Sequence, residues 1–150
     1  MPLFDAPVPR HLLWPIDAPW PRRRVGRLLR RFQACFPDVV YDTDLAVELA
    51  NGQAFLDGDL KRVRLYGGLV RHREMTSAAL ALTLAHETGH HLGGPPFLPF
   101  HRWLSSEERA TEWGTTVGLQ RVFGERTARR IAGQGGRQLE RIRGASDVTT

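Results

Sequence analysis

The chain has 150 residues, of which 41% are hydrophobic and 25% are charged, and its formal net charge is +5. This length suits one domain with its own core, the composition argues against general disorder, and the charge permits polyanion binding without establishing it. The single cysteine, Cys35, excludes an internal disulfide and a zinc site built from several thiolates.

The sequence is that of a protein without a membrane span. Its longest uncharged apolar stretch is far shorter than the ~20 residues that a transmembrane helix requires. The N-terminus has an early acid and repeated prolines where a signal peptide has a basic start and an apolar run. We therefore expect a cytoplasmic protein.

Proline and arginine dominate the first quarter of the chain. Residues 1–21 hold six of the ten prolines, which predicts an N-terminal arm without regular structure. From Arg22 hydrophobic residues recur at helical spacing, and Pro37 ends the predicted helix. Its arginines form a solvated face in the simplest interpretation, with nucleic acid, a membrane surface or an acidic partner as the alternatives. The acidic stretch 38–60 offers them partners within the fold.

Three short strands are predicted before the middle of the chain. Residues 39–41 and 54–56 are hydrophobic runs, and Asp57-Gly58 is a turn signal. Residues 62–66 alternate between polar and apolar, as in a half-buried strand. We expect a small, mostly antiparallel sheet.

The second half of the chain predicts helices. Residues 78–92 are apolar on nearly every side, as in a buried helix, with Thr76 or Ser77 as N-cap. A loop over 97–103 leads to helices over about 105–122 and 125–141, the latter weakened by three glycines, and residues 144–150 form a tail. Residues 22–143 are thus predicted to form one domain.

The buried helix carries His86-Glu87-Thr88-Gly89-His90, which matches the zinc motif H-E-x-x-H. His86 and His90 lie about 40° apart on one helix face and one turn apart, so both rings reach one ion. Glu87 lies about 60° beyond His90, where it can take a proton from a water that the metal activates. The alternative is an ordinary amphipathic helix, but these three polar side chains are costly in a buried helix unless they are ligated or paired.

A catalytic zinc ion usually has three protein ligands and one open position. The metzincin pattern would place the third histidine at position 96, which is Pro96 here, so that pattern fails. His101 lies in a proline- and aromatic-rich loop without a supporting pattern. A glutamate of the following helix is the better candidate, and both Glu107 and Glu108 lie at a suitable distance along the chain.

Three segments between about residues 60 and 120 resemble the gluzincin peptidases. The likeness is closest to the small M48-type minimal-domain metallopeptidases, with the ImmA/IrrE-type peptidases as a second relative. In such families the second motif reads E-x-x-A-[DN]; Ala110 then fixes the register, so Glu107 and not Glu108 aligns with the third zinc ligand. The segments are Gly67-Gly68-Leu69, His86-Glu87-Thr88-Gly89-His90-His91-Leu92-Gly93-Gly94 and Trp103-Leu104-Ser105-Ser106-Glu107-Glu108-Arg109-Ala110.

The chain departs from this family pattern at two places. Where the family has an acid that orients a zinc histidine, this chain has Thr111, and Glu112 or a backbone carbonyl is the candidate substitute. The histidine or tyrosine that stabilises the oxyanion in many gluzincins is missing after residue 107. The remaining candidates for that role are Tyr66, His72, His91, His101 and Arg102.

The resemblance implies an α+β, zincin-like (minigluzincin) fold, in which the small sheet packs on the buried helix with further helices around it. It implies one Zn²⁺ ion and a zinc-dependent endopeptidase that acts on a protein or peptide, with Glu87 as general base. An edge strand would bind the extended substrate, with Leu65, Gly67, Gly68 and Leu69 as its residues. The alternatives are a weak or inactive interaction module of the same fold, and a regulatory peptidase or basic protein that acts on a nucleic-acid-bound partner.

Overall fold

The computed structural model describes the backbone of residues 6–148 and the side chains of residues 6–143. Residues 1–5 of the predicted arm and residues 149–150 of the predicted tail lie outside this part. Within it the chain has an α+β architecture. None of the described helices is both long enough and apolar enough to cross a bilayer.

The described part of the N-terminal arm lies along the domain surface. Apart from a 3₁₀ turn at Arg10–Leu12 it is irregular before Pro19, and backbone hydrogen bonds tie it down, from Val8 N to Glu48 O and from Trp14 N to Arg71 O (both 2.8 Å). Helix α1 (Pro19–Cys35) begins three residues earlier than predicted, because proline suits the first turn of a helix.

Helix α1 buries the predicted apolar face, with Val25, Leu28 and Phe32 in the core. The acidic stretch does not pair with its arginines in the way that the sequence suggested. Instead, Asp42 accepts hydrogen bonds from Arg62 and Arg64 on a neighbouring strand. Five arginines of α1 are exposed, whereas Arg24 is buried and donates to Met75 O (2.6 Å).

A three-stranded sheet forms from β1 (Val39–Asp44), β2 (Gly52–Asp57) and β3 (Leu60–Tyr66), in the order β1-β3-β2. Strand β3 runs parallel to β1 and antiparallel to β2, to which it is joined by a tight turn with Gly58 at φ +60°. The predicted loop at 97–103 is instead a second, antiparallel pair, β4 (Phe97–Leu98) and β5 (His101–Ser105). Antiparallel pairings thus predominate among the described strands, as expected.

The predicted substrate-binding edge at Leu65, Gly67, Gly68 and Leu69 is wrong. Strand β3 lies between the other two strands, so both of its edges are already hydrogen-bonded. The chain then forms a single helical turn, α2 (Gly67–Val70), which is buried beneath the loop after β1. A Cβ on Gly67 would lie 1.9 Å from Leu45 O, so the glycine admits the chain's own backbone and not a substrate.

Helix α3 (Ser77–Leu92) runs through the middle of the molecule, with β2 and β3 on one side and the C-terminal helices on another. Thr76 caps it, since its hydroxyl accepts a hydrogen bond from Ala79 N (3.2 Å). The predicted helix after Ser106 is a continuous run of three segments. They are α4 (Glu107–Trp113), a π-helical segment (Gly114–Gly118) and α5 (Leu119–Phe123).

The last helix, α6 (Glu125–Val148), is longer than predicted and includes most of the expected tail. Its glycines do not end it, and one of them lies where the packing needs a small residue. A Cβ on Gly135 would lie only 2.7 Å from Ala78 O, so this glycine allows α6 to pack closely on α3. Gly136 faces open space instead.

Candidate metal centre

Three side chains from two adjacent helices converge on one point beside α3. His86 and His90 come from α3, and Glu107 is the first residue of α4; one ligand atom from each lies within 4.8 Å of the other two. The carboxylate of Glu107 lies 3.0 Å from His86 Nε2 and 3.3 Å from His90 Nε2. These are the three residues that the sequence predicted as metal ligands, whereas Glu108 is exposed and outside the group.

Each histidine is oriented by a contact at its other ring nitrogen. His90 Nδ1–H donates a 2.7 Å hydrogen bond to Ser105 O, the carbonyl at the end of β5. His86 Nδ1 lies 3.1 Å from Thr111 Oγ1, one helical turn beyond Glu107. Both Nε2 atoms are thereby directed at the shared carboxylate, as metal-bound histidines are in proteins.

The three donor groups lie close enough to one another to hold a metal ion. The distance from His86 Nε2 ends on Glu107 Oε2 (3.0 Å) and the distance from His90 Nε2 ends on Oε1 (3.3 Å), so each histidine faces its own carboxylate oxygen. Two imidazoles and a carboxylate form a known catalytic zinc ligand set with one position left for water.

Electrostatics keep Glu107 ionised. Hydrogen bonds from His86 and His90 hold the pKa of Glu107 well below its usual range. Burial lowers the pKa of His90, but the hydrogen bond to Glu107 and the charge of Glu87 outweigh that effect and leave it raised. Glu107 is therefore a carboxylate, the form that can bind a metal ion.

Glycine makes it possible for Glu107 to reach the two histidines. A Cβ on Gly89 would lie 2.5 Å from Ala110 O, so a glycine within the zinc motif lets α4 cross α3 in close contact. Ser106 caps α4 by accepting from Arg109 N, and Arg109 Nε donates to Gly93 O at the end of α3 (2.6 Å). These contacts fix Glu107 in front of the histidines.

Two cavities meet at the candidate metal centre, and Gly52, Glu87 and Glu107 line both of them. The sheet-side cavity has a volume of about 470 Å³ and the helix-side cavity about 600 Å³. The sheet-side cavity is otherwise lined by Val47, Leu49, Asn51, Gln53, Ala54, Tyr66, His90, Leu98 and Leu104. The helix-side cavity is otherwise lined by Leu82, Thr83, His86, Thr111, Gly114, Thr115, Ala132, Gly136, Leu139 and Arg143.

Glu87, the predicted general base, is only 2% exposed and belongs to both cavities. It follows His86 on α3 and is one of the residues that the two cavities share.

The other predicted residues divide into those near the centre and those away from it. Thr111 contacts His86, and Tyr66 lines the sheet-side cavity with its hydroxyl bonded to Gln53. Glu112 is not the substitute for the missing acid, because it is exposed and paired with Arg109 (3.2 Å). The remaining predicted side chains have other surroundings. His72 is buried under the arm and accepts from Glu74 N, His91 Nε2–H donates to Arg62 O, His101 is partly buried in β5, and Arg102 is exposed.

Sequence reasoning missed two parts of the site. The first is β2, which supplies Gly52, Gln53 and Ala54 to the sheet-side cavity, because strand order cannot be read from local patterns. The second is α6, whose residues wall the helix-side cavity. The sequence signal that could have indicated the contribution of α6 was the helical spacing of Ala132, Gly136 and Leu139.

Comparisons of the chain with protein-family models, with curated proteins and with solved structures found no match.

Proposed function

We propose that this protein is a zinc-dependent endopeptidase. The observation that carries the proposal is the convergence of His86, His90 and Glu107 at the junction of two cavities that share Glu87. Zinc peptidases need three protein ligands, one open position and a nearby carboxylate. The resemblance of the sequence to gluzincins supports the same activity.

The chain's residues divide the work of hydrolysis. When bound, a zinc ion supplies a Lewis acid that polarises a peptide carbonyl and lowers the pKa of water. Glu87 accepts one proton from water as the water oxygen bonds to the carbonyl carbon. Glu87 then passes that proton to the amine nitrogen as the carbon–nitrogen bond breaks, which balances the reaction. Ser105 O and Thr111 keep the two histidines in place meanwhile.

Strand β2 replaces β3 as the proposed substrate-binding edge. Tyr66 N donates to Asn51 O, which makes residues 51 and 66 a hydrogen-bonded pair in the antiparallel ladder. By alternation, the backbone groups of Gly52, Ala54 and Leu56 point away from β3. Gly52 and Ala54 line the sheet-side cavity, so an extended peptide can add to this edge by main-chain hydrogen bonds.

Tyr66 is the proposed oxyanion donor. Among the sequence candidates for this role, Tyr66 lines a cavity beside the centre. Its O–H donates to Gln53 Oε1 in the structure, so the proposed role requires the O–H to turn from Gln53 to the substrate carbonyl oxygen. A phenolic O–H near the reacting carbonyl can stabilise the negative oxygen that develops there.

The proposal is tested by metal analysis and peptidase assay of the wild type and Glu87→Gln. We expect each protein to bind one equivalent of zinc and the variant to lose about 10²- to 10⁴-fold in kcat, because the general base is removed while the ligands remain. Glu112→Gln, which changes an exposed glutamate outside both cavities, is the matched control and keeps full activity. Zinc binding without wild-type activity would favour an interaction module, and failure to bind zinc would overturn the proposal.

A further inference from the structure

We propose that the exposed face of α1 binds the phosphate backbone of a nucleic-acid duplex. This face lies apart from the candidate metal centre, because neither cavity takes any of its described lining residues from α1. Binding at α1 therefore uses none of the residues that the proposed hydrolysis needs. The inference goes beyond the proposed peptidase activity and does not depend on it.

Five arginines are exposed along α1, and this helix carries no acidic residue; the five are Arg22, Arg23, Arg27, Arg30 and Arg31. Arg23, Arg27 and Arg30 are spaced by four and three residues, so they lie on one face of the helix. Together they span about 10 Å along the helix axis. A duplex carries one phosphate charge for about every 1.7 Å of its axis, so a stripe of this length can contact several phosphates.

The charge of these arginines is not neutralised within the fold. Across the described side chains, no carboxylate forms an ion pair with an arginine of α1. Asp42 of the acidic stretch pairs with arginines of β3 instead. Arg22 and Arg31 donate to the backbone oxygens of Ile16 and Val122, which carry no net charge. This face of the protein therefore presents a positive potential to solvent.

The position of the arginines along α1 also opposes the helix dipole. The N-terminal end of a helix has a partial positive charge, which acidic side chains offset when they lie in the first turn. The first turn of α1 has no acid, and Arg22 and Arg23 lie within the first two turns. The positive charges repel one another and the dipole, and bound phosphate groups relieve that repulsion.

Helix α5 widens the same surface. Arg31 Nη2 donates to Val122 O (3.1 Å), and its guanidinium carbon lies 4.4 Å from the ring centre of Phe123. Arg121 is exposed, and its guanidinium carbon lies 5.4 Å from the ring centre of Phe36. Contact with an aromatic ring stabilises the position of each guanidinium. The two arginines are thus partly ordered before binding, which reduces the entropy lost when they contact a phosphate.

The chemistry of α1 favours nucleic acid over an anionic membrane. A helix that lies on a membrane inserts its apolar face among the lipids. The apolar residues Val25, Leu28 and Phe32 of α1 are buried in the core, so this helix offers charge without an apolar face. Of the 21 basic residues in the chain, 20 are arginine. A guanidinium can form two parallel hydrogen bonds with one phosphate, which suits a regular array of backbone phosphates.

The test measures the anisotropy of a fluorescent DNA duplex of random sequence as the zinc-loaded protein binds it, at a series of salt concentrations. In the triple variant Arg23→Gln/Arg27→Gln/Arg30→Gln, we expect the slope of log K against log salt to decrease in magnitude by about 2.7, because each phosphate contact contributes about 0.9. Arg27→Gln alone should decrease it by about 0.9, so the measurement remains decisive if the triple variant folds poorly.

The matched control is Arg126→Gln/Arg137→Gln/Arg141→Gln, which removes the same charge from exposed positions of α6, a helix that also carries acidic residues. We expect it to keep the wild-type slope. Equal losses in both triple variants, or no duplex binding by the wild type at about 50 mM salt, would overturn the proposal. Binding to phosphatidylserine vesicles without binding to the duplex would also overturn it, since the surface would then be a membrane contact.

The same assay separates this inference from the proposed function. Glu87→Gln should bind the duplex as the wild type does, because Glu87 is buried and lies on α3. Duplex binding by a protein that cuts no peptide would support the α1 surface and count against the peptidase. Peptide cleavage by a protein that binds no duplex would do the reverse.

Discussion

The two cavities that meet at Glu87 are built in different ways. The sheet-side cavity borders a strand edge, where the backbone of Gly52 and Ala54 is available for hydrogen bonds. The helix-side cavity is walled by side chains, and it is open because Ala132 and Gly136 are small. In the proposed peptidase, the first cavity would contact a substrate through backbone groups of β2 and the second through side chains. Substitutions in the two cavities therefore test different parts of the proposal.

The largest effect is expected at Glu107, which lines both cavities and is the proposed third metal ligand. Glu107→Gln removes the charge that balances the ion, so we expect zinc affinity to fall by more than about 100-fold and activity to be lost on all peptides. Chelator competition measures the affinity. Glu108→Gln, which changes the exposed neighbour, is the control; equal losses in both variants would contradict the ligand assignment.

The next effect concerns the glycine that brings the two helices together. In Gly89→Ala the new Cβ would meet Ala110 O at 2.5 Å, so we expect the free energy of unfolding to fall by about 1–3 kcal/mol and zinc to bind more weakly. Gly136→Ala faces open space and is expected to stabilise α6 by about 0.5–1 kcal/mol. Unfolding in denaturant measures the free energy of unfolding of both variants. A stable Gly89→Ala protein would show that α4 does not need this close approach.

The third prediction concerns Thr111, which lines the helix-side cavity and whose hydroxyl contacts His86. Thr111→Val keeps the shape of the side chain and removes the hydroxyl that orients the ring. We expect zinc affinity to fall about 10-fold, as for other partners of metal-bound histidines. Thr115→Val makes the same change one turn later, where the hydroxyl bonds only to backbone oxygens. Zinc binding by Thr115→Val should match the wild type, and a similar loss in both would refute the role of Thr111.

The smallest effect is expected at the strand edge, where a substitution should act on all peptides alike. Ala54→Pro removes one outward N–H from β2, and proline is tolerated at such an edge. The loss of one hydrogen bond predicts a decrease of about 5-fold in kcat/KM without a change in side-chain preference. Leu56→Pro is the control, because Leu56 lies outside the cavity lining. Unaltered kinetics of Ala54→Pro would exclude β2 as the binding edge.

The candidate metal ligands were predictable for two different reasons. Local helix geometry places His86 and His90 on one face of α3, whereas Glu107 was chosen over Glu108 because the resemblance to a family motif, with Ala110 fixing the register, indicated it. Hydrophobic spacing likewise placed α1 and α3. The same local logic identified three strands, although it gave no order for them.

The walls of the two cavities were not predictable, because they depend on contacts between distant segments. The sequence placed the edge at Gly67 and Gly68, whose glycines in fact admit the loop after β1. Nor did the sequence distinguish Gly135, which packs on α3, from Gly136, which faces a cavity. Adjacent identical residues have different roles here, and only the tertiary arrangement separates them.

The π-helical segment at Gly114–Gly118 constrains the number of residues between Glu107 and Leu119. Ahead of it Glu107 faces the histidines, and behind it Leu119 is fully buried in the core. A π turn holds an additional residue compared with an α turn, so it rotates the following residues relative to those before it. Deletion of a single residue from this stretch would force a choice between burying Leu119 and presenting Glu107, so insertions and deletions are tolerated here far less readily than substitutions.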